Sequence, residues 1–273
     1  MVANEKDIIH HIHRQFATLA ELANKSTVSF NKIQVHRFRV QTKKLRAFLR
    51  LLQANPSQKK KLKIPRKIKK IYEVAGEIRN IQNHRSWIHD YFQNKKIPKT
   101  YLAMLRKKLD ENKQEMRDKS HGEIFFNKER KEIIHRLARI KDQSCIDTFF
   151  EEKKQTIGTI LAEEKSDAVL HALRKTLKDL DYNKKWLSQS SEFNEWKSEF
   201  VMKDLIDLLG SHQDFTIHEI FLSADETAQL NGTDKMLIEE AYRAASENKA
   251  TIKEKILLKL ASFETLESSH YFH

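Results

Sequence analysis

The chain has 273 residues, 39% of them hydrophobic and 33% charged, with five Gly and three Pro. So few helix breakers among long runs of Lys, Glu, Leu, Ile and Ala predict an all-α protein, long enough to bury one large core or two smaller ones. No run of about 18 apolar residues is present, which excludes a membrane-spanning helix, and the single Cys145 excludes an internal disulfide and a cysteine-rich zinc site.

The first amphipathic helix is predicted over 5–23, with Ile9, Ile12, Phe16, Leu19 and Ala23 at helical spacing, and the polar run NKSTVS is expected to break it. Its start, MVANEKDIIHHIHRQF, mixes charged and apolar residues and lacks the apolar centre of a signal peptide, so a cytoplasmic protein is expected. A second helix runs from about Phe30 to Ala54 and stops at Asn55-Pro56. The basic loop PSQKKKLKIP ends at Pro65, which suits the first turn of a third helix reaching Phe92 with a break near Asn83. Helices follow at 99–118 and 123–142, then at 146–163, 167–189, 192–209, 212–222 and 234–263, and the tail ESSHYFH reads as loose. No period-two pattern supports a strand.

The net charge of +13 is concentrated: between Leu22 and Tyr72 lie 16 Lys and Arg and no Asp or Glu, so the rest of the chain is slightly acidic. Concentrated positive charge points to an anionic partner. The densest stretch is VHRFRVQTKKLRAFLRLL. At about 100° per residue, Phe38, Leu45, Phe48, Leu49 and Leu52 form one stripe, and Lys32, His36, Arg39, Lys43, Arg46 and Arg50 gather opposite. Like charges at i,i+4 cost about 0.2–0.5 kcal/mol per pair. A solvated face usually offsets that cost with acids; this one has none, and an acidic ligand would relieve it.

An internal match strengthens the reading. VHRFRVQTKKLR aligns with LHALRKTLKDLD, placing His36 on His171, Arg39 on Arg174, Lys43 on Lys178 and Leu45 on Leu180. VAGEIRNIQ aligns with LLGSHQDFT, placing Gly76 on Gly210 and Asn80 on Asp214 at nearly the same offset. The spacing predicts a duplicated helical unit, its two copies packed about a pseudo-two-fold axis. In the second copy Val169, Leu173, Leu177, Leu180 and Leu187 form the apolar stripe, with His171, Arg174, Lys175, Lys178 and Lys185 opposite.

These segments resemble the paired signature of CHAD domains, the conserved-histidine α-helical family: a His, an Arg three residues on, and Arg and Lys in register. AGEIRN and LLGSHQD resemble the segments that follow each signature. The resemblance covers nearly the whole chain. It implies one CHAD domain over 1–273, made of helical bundles at 1–142 and 143–273 around a central basic groove that binds inorganic polyphosphate, without catalysis, cofactor or metal. It also implies association with polyphosphate granules. The candidate ligand set is Lys32, His36, Arg39, Lys43, Lys44, Arg46, Arg50, Arg79, His171, Arg174, Lys175, Lys178 and Lys185. Asn80 stands where the family favours Asp, and Asp181 where it favours Arg, so the first half is expected to bind more strongly than the second.

The chemistry fits, since Arg binds phosphate oxygens in bidentate fashion, Lys supplies a mobile point charge, and a protonated His donates to an anion. A nucleic-acid backbone would attract the same cations and is the alternative partner, held weakly; an enzyme of polyphosphate metabolism is a third reading. His10, His11 and His13 lack the convergent ligands of a metal site and are expected on an exposed helical surface. Trp87, Trp186 and Trp196 are expected to serve packing. No G-x-G-x-x-G, P-loop or H-E-x-x-H motif and no nucleophile–base spacing is present.

Overall fold

A computed structural model describes residues 5–120, 122–138, 144–199, 202–230 and 232–270. Every regular element among them is a helix: α1 (Glu5–Ser29), α2 (Lys32–Gln53), α3 (Arg66–Tyr91), α4 (Lys99–Ser120), α5 (Asn127–Arg136), α6 (Ser144–Ala162), α7 (Asp167–Leu187), α8 (Ser191–Glu199), α9 (Met202–Leu222), α10 (Ala224–Thr227) and α11 (Gly232–His270). The expected boundary at 142/143, the end of the helix predicted to 142, and the last three residues of the tail lie outside the described residues; 267–270 continue α11.

The run NKSTVS does not break α1. Ser26, Thr27 and Ser29 hydroxyls donate to carbonyls one turn back, Leu22, Ala23 and Lys25, so these residues satisfy themselves inside the helix. Asn24 is used differently: its amide donates to the Ile124 carbonyl at 3.0 Å and accepts from the Ile124 N–H at 2.7 Å, tying α1 to the segment before α5. The helix stops at Phe30, whose φ of 48° is left-handed and whose N–H still reaches the Ser26 carbonyl. Asn31 then caps α2, its Oδ1 accepting from the Ile33 N–H at 2.7 Å. A two-residue connection therefore replaces the expected loop.

Other expectations shift in similar ways. α3 passes Asn83 without a break, and α5 begins four residues late because Ile124 is paired with Asn24. The break expected between 209 and 212 is absent, and α9 runs through Gly210. α10, a single turn, carries no sequence pattern strong enough to read.

Packing follows the same order in the two parts of the chain. α1 lies on α2, α2 on α3 and α3 on α4; α6 lies on α7, α7 on α9 and α9 on α11. The parts meet where α2 packs on α7 and α3 on α9. The stripe of Phe38, Leu45, Phe48, Leu49 and Leu52 is buried, as are Leu173, Leu177, Leu180 and Leu187, and this burial is the main stabilising force.

Between α3 and α9 a polar chain crosses the core. Tyr101 Oη donates to the Phe221 carbonyl at 2.9 Å and lies 2.7 Å from His84 Nε2, and His84 Nδ1 lies 3.0 Å from His218 Nδ1. With the tyrosine proton committed to Phe221, His84 donates from Nε2 and accepts at Nδ1, so His218 donates from Nδ1. Trp87 stacks on His218 with centroids 4.8 Å apart, and Phe221 on His84 at the same distance. Burial, reinforced by the facing ring, lowers the His84 pKa to about 3; burial lowers that of His218 to about 4.

Because both imidazoles bind protons more weakly folded than unfolded, the stability that their neutral pairing contributes is fully present above 6.5 and declines as pH falls from that value toward about 4, while the folded rings stay neutral. NMR titration of the imidazole resonances should find both rings still neutral at about pH 5. A midpoint near 6.5 for either ring would refute the buried neutral pair.

Candidate anion-binding site

α2 and α7 carry the two basic stripes and lie against each other, so their cations meet. A cleft of about 320 Å³ opens along this contact, lined by Arg39, Lys43, Arg46, Arg50 and Tyr72 on one side and by His171, Arg174, Lys175, Lys178, Asp179, Tyr182, Gln213 and Asp214 on the other. The i, i+4, i+7, i+11 spacing of the α2 cations puts them on one face, and the apolar stripe buried behind fixes which way that face points.

Arg39 and Arg174 each lie against a glycine of a neighbouring helix. Arg39 Nη1 donates to the Tyr72 carbonyl at 3.2 Å, its guanidinium lies 4.8 Å from the Tyr72 ring centroid, and it crosses α3 directly at Gly76. Arg174 crosses α9 at Gly210, and its Nε is buried without a hydrogen-bond partner among the described residues. Glycine in a helix interior costs about 1 kcal/mol relative to alanine; Gly76 leaves room for the Arg39 guanidinium, whereas a Cβ at Gly210 would meet Arg174 only at ordinary contact distance.

Lys43 sits at the centre. Burial, then Arg39, Arg174 and Lys178, lower its pKa to about 8, with Asp214 opposing. Burial raises the pKa of Asp214 against the pull of Arg174, Arg79 and Lys43. Asp179 is buried on the α7 side, bonded to Arg50 Nη1 at 2.5 Å and to Lys153 Nζ at 3.0 Å. His171 is pushed below the ordinary histidine range by burial, and further by Lys175, Arg174 and Lys43 against a hydrogen bond with Gln213.

Several candidates lie elsewhere. Lys32, His36 and Arg79 continue the stripe beyond the cleft: Lys32 Nζ donates to Ser86 Oγ at 2.9 Å, and burial, then Arg79, Lys43 and Arg39, lower the His36 pKa. Lys44, about 100° around the helix from Lys43, is exposed and lines no part of the cleft. Lys185 is exposed and influences His11 instead. His11 is not on an exposed surface as expected; it packs on Phe48 and Trp186, centroids 4.6 and 5.3 Å away, joining α1 to α2 and α7. Arg50 is not a free cation, because Asp179 holds it. Asp181 pairs with Lys178 at 3.3 Å and Lys184 at 3.7 Å and does not line the cleft.

Sequence reasoning missed Asp179, Tyr72 and Tyr182. Asp179 is the one acid among the buried residues of α7, and neither it nor the tyrosines interrupts the apolar stripe. Among the described residues no group of His, Cys, Asp and Glu is arranged to hold a metal ion, and no helix is long and apolar enough to cross a membrane.

The CHAD domain family model matches residues 12–223. With most of its length matched, the chain belongs to the CHAD domain family. Its fold is similar to the crystal structure of the CHAD domain from the plant Ricinus communis, with a TM-score of 0.65 at 14% identity, covering 94% of this chain and 88% of that one. No curated protein matches the sequence.

The two glycines give a contrasting pair of variants. A Cβ at Gly76 would lie 2.3 Å from Arg39 Nη1, whereas at Gly210 it would lie 3.7 Å from Arg174 Nη2. Gly210→Ala should raise stability by up to about 1 kcal/mol and leave anion affinity unchanged. Gly76→Ala should be nearly neutral for stability, helix propensity offsetting a lost hydrogen bond of about 1 kcal/mol, yet weaken anion binding by moving Arg39. Thermal melts and calorimetric titration with polyphosphate read both effects.

Proposed function

We propose that the chain is a non-enzymatic binder of inorganic polyphosphate, built from two related helical units that present α2 and α7 to one shared cleft. A cytoplasmic location and association with polyphosphate granules belong to the same reading. The observation that carries it is the charge of the cleft: Arg39, Lys43, Arg46, Arg50, Arg174, Lys175 and Lys178 line it with only two acids, Asp179 and Asp214, while a third, Asp181, pairs with Lys178 from outside it. Asp179 is committed to Arg50 and Lys153, so the central cations lack full neutralisation. A flexible chain of phosphates supplies it.

Two features favour polyphosphate over nucleic acid. Tyr72 already carries Arg39 and Arg46 against its ring, and Tyr182 carries Lys178, so the cleft offers no bare aromatic platform for a base. The cleft, of about 320 Å³, also lies between two packed helices, which suits a bare backbone.

Calorimetry with long-chain polyphosphate tests the reading. The double reversals Arg39→Glu with Lys43→Glu, and Arg174→Glu with Lys178→Glu, should each weaken binding by well over about tenfold, since each charge-assisted contact is worth about 1.5–3 kcal/mol. Reversal of Lys128 and Lys131, exposed on α5, should leave affinity nearly unchanged. Equal loss from that control would show that only net charge matters. Affinity should drop by orders of magnitude between about 50 and 200 mM salt, DNA should compete poorly, and no phosphate should be released with or without magnesium. Turnover abolished by a cleft variant would identify a catalyst instead.

The pH dependence follows from Lys43. Its pKa of about 8 in the free protein rises when anions surround it, so below that value it is charged in both states, and above it binding must recruit a proton. Affinity should therefore be flat below about pH 7.5 and fall as pH rises through 8, with proton uptake visible as a buffer-dependent binding enthalpy. A Lys43→Arg variant should flatten that fall.

A further inference from the structure

The cleft does not end at Arg50. A second cavity of about 400 Å³ lies beside it, between α2, α3 and the loop joining them, and the two share Arg46, Arg50 and Tyr72. The added cations are Lys61, Lys63 and Lys69. Resting on the reading of the cleft above, we propose that this loop is a second phosphate-binding subsite, a one-sided shelf that takes the continuing chain of a long polyphosphate and gives the protein a preference for long chains.

The ordinary interpretation of a lysine-rich loop is a solvated surface, but this loop is built. Its backbone is held by amide side chains: Gln53 Oε1 accepts from the Leu62 N–H at 2.8 Å, and Asn55 Oδ1 accepts from the Ser57 N–H at 3.0 Å. Gln58, only 6% exposed, donates to the carbonyl of Arg136 at 3.0 Å and accepts from the Ala138 N–H at 2.7 Å, pinning the loop to the end of α5. Residues 61–65 have no helical structure, and Leu62 is buried. Lys61 and Lys63, on either side of the buried Leu62, are exposed, and both border the second cavity.

The charges there are unmatched. Lys69 pairs with Glu73 at 3.5 Å, but no ion pair engages Lys61 or Lys63 among the described residues. Helix α3, which starts just beyond, has no acid in its first turn. The equivalent place after α7 is different: Ser188–Ser190 lead into α8, which carries Glu192 and Glu195. The cationic track is thus prolonged past the C-terminal end of α2 and not past that of α7.

Chain length separates the shelf from the cleft. At about 0.15 M salt the Debye length is about 8 Å, so a shelf lysine that does not touch the ligand contributes little. Calorimetry would compare tripolyphosphate with long-chain polyphosphate on the wild type, on Lys61→Gln with Lys63→Gln, and on Arg39→Gln with Lys43→Gln. The shelf variant, changed at exposed positions, should bind the long chain about tenfold more weakly, with a salt slope shallower by about one to two, and bind tripolyphosphate as the wild type does. The cleft variant should lose both ligands. Unchanged long-chain affinity in the shelf variant, with the cleft variant impaired, overturns the shelf and leaves the cleft standing. Equal losses for both ligands in the shelf variant also overturn it, because the lysines would then act through charge alone. A wild type that binds neither ligand overturns the cleft reading, and the shelf with it.

Discussion

The structure depends on keeping two basic helices in contact. α2 and α7 pack on each other, with Phe48 against Trp186 at 5.2 Å between ring centroids, and their contact crowds Arg39, Lys43, Arg174 and Lys178. Apolar burial, at about 1.5–3 kcal/mol for each large side chain, wins over repulsion among partly hydrated charges. Two carboxylates moderate the remainder. Asp179 bridges Arg50 of α2 and Lys153 of α6, and Asp214 of α9 sits within reach of Arg174, Arg79 and Lys43. The cleft is left positive but not so positive that the helices part.

Much of this was legible in the sequence, and the reason is periodicity. A 3.6-residue repeat states which residues are buried, so the cations of α2 and α7 could be assigned to one face from spacing alone. The match between Gly76 and Gly210 was legible too, although its cause was not: an arginine of a basic helix crosses at each glycine, and at Gly76 so closely that a Cβ would collide with it. What spacing cannot give is the other side of a contact. Asp179 lies at the edge of the buried face of α7, and only the approach of α2 shows that it answers Arg50.

The errors have physical causes of the same kind. NKSTVS was misread because Ser and Thr are weak helix formers by propensity, yet their hydroxyls can return to carbonyls of the preceding turn. His11 was placed at the surface because histidine is polar; the aromatic rings of Phe48 and Trp186, contributed by two other helices, make it a packing residue. Lys44 was swept in by composition, whereas rotation about the helix axis takes it out of the cleft; Lys185 shares the face of Arg174 and Lys178 but lies further along α7, near His11.

The contact between His84 and His218 carries a consequence of its own. Two neutral imidazoles meeting Nδ1 to Nδ1 cannot be alike, since one must hold the proton that the other accepts. The direction is chosen from outside the pair, by the Tyr101 hydroxyl and its commitment to the Phe221 carbonyl. Replace that hydroxyl with hydrogen and the two tautomeric arrangements become close in energy, free to interconvert by passing protons around both rings. A single oxygen on α4 thus gives the junction of α3 and α9 its polarity and keeps two similar positions in the chain from being interchangeable.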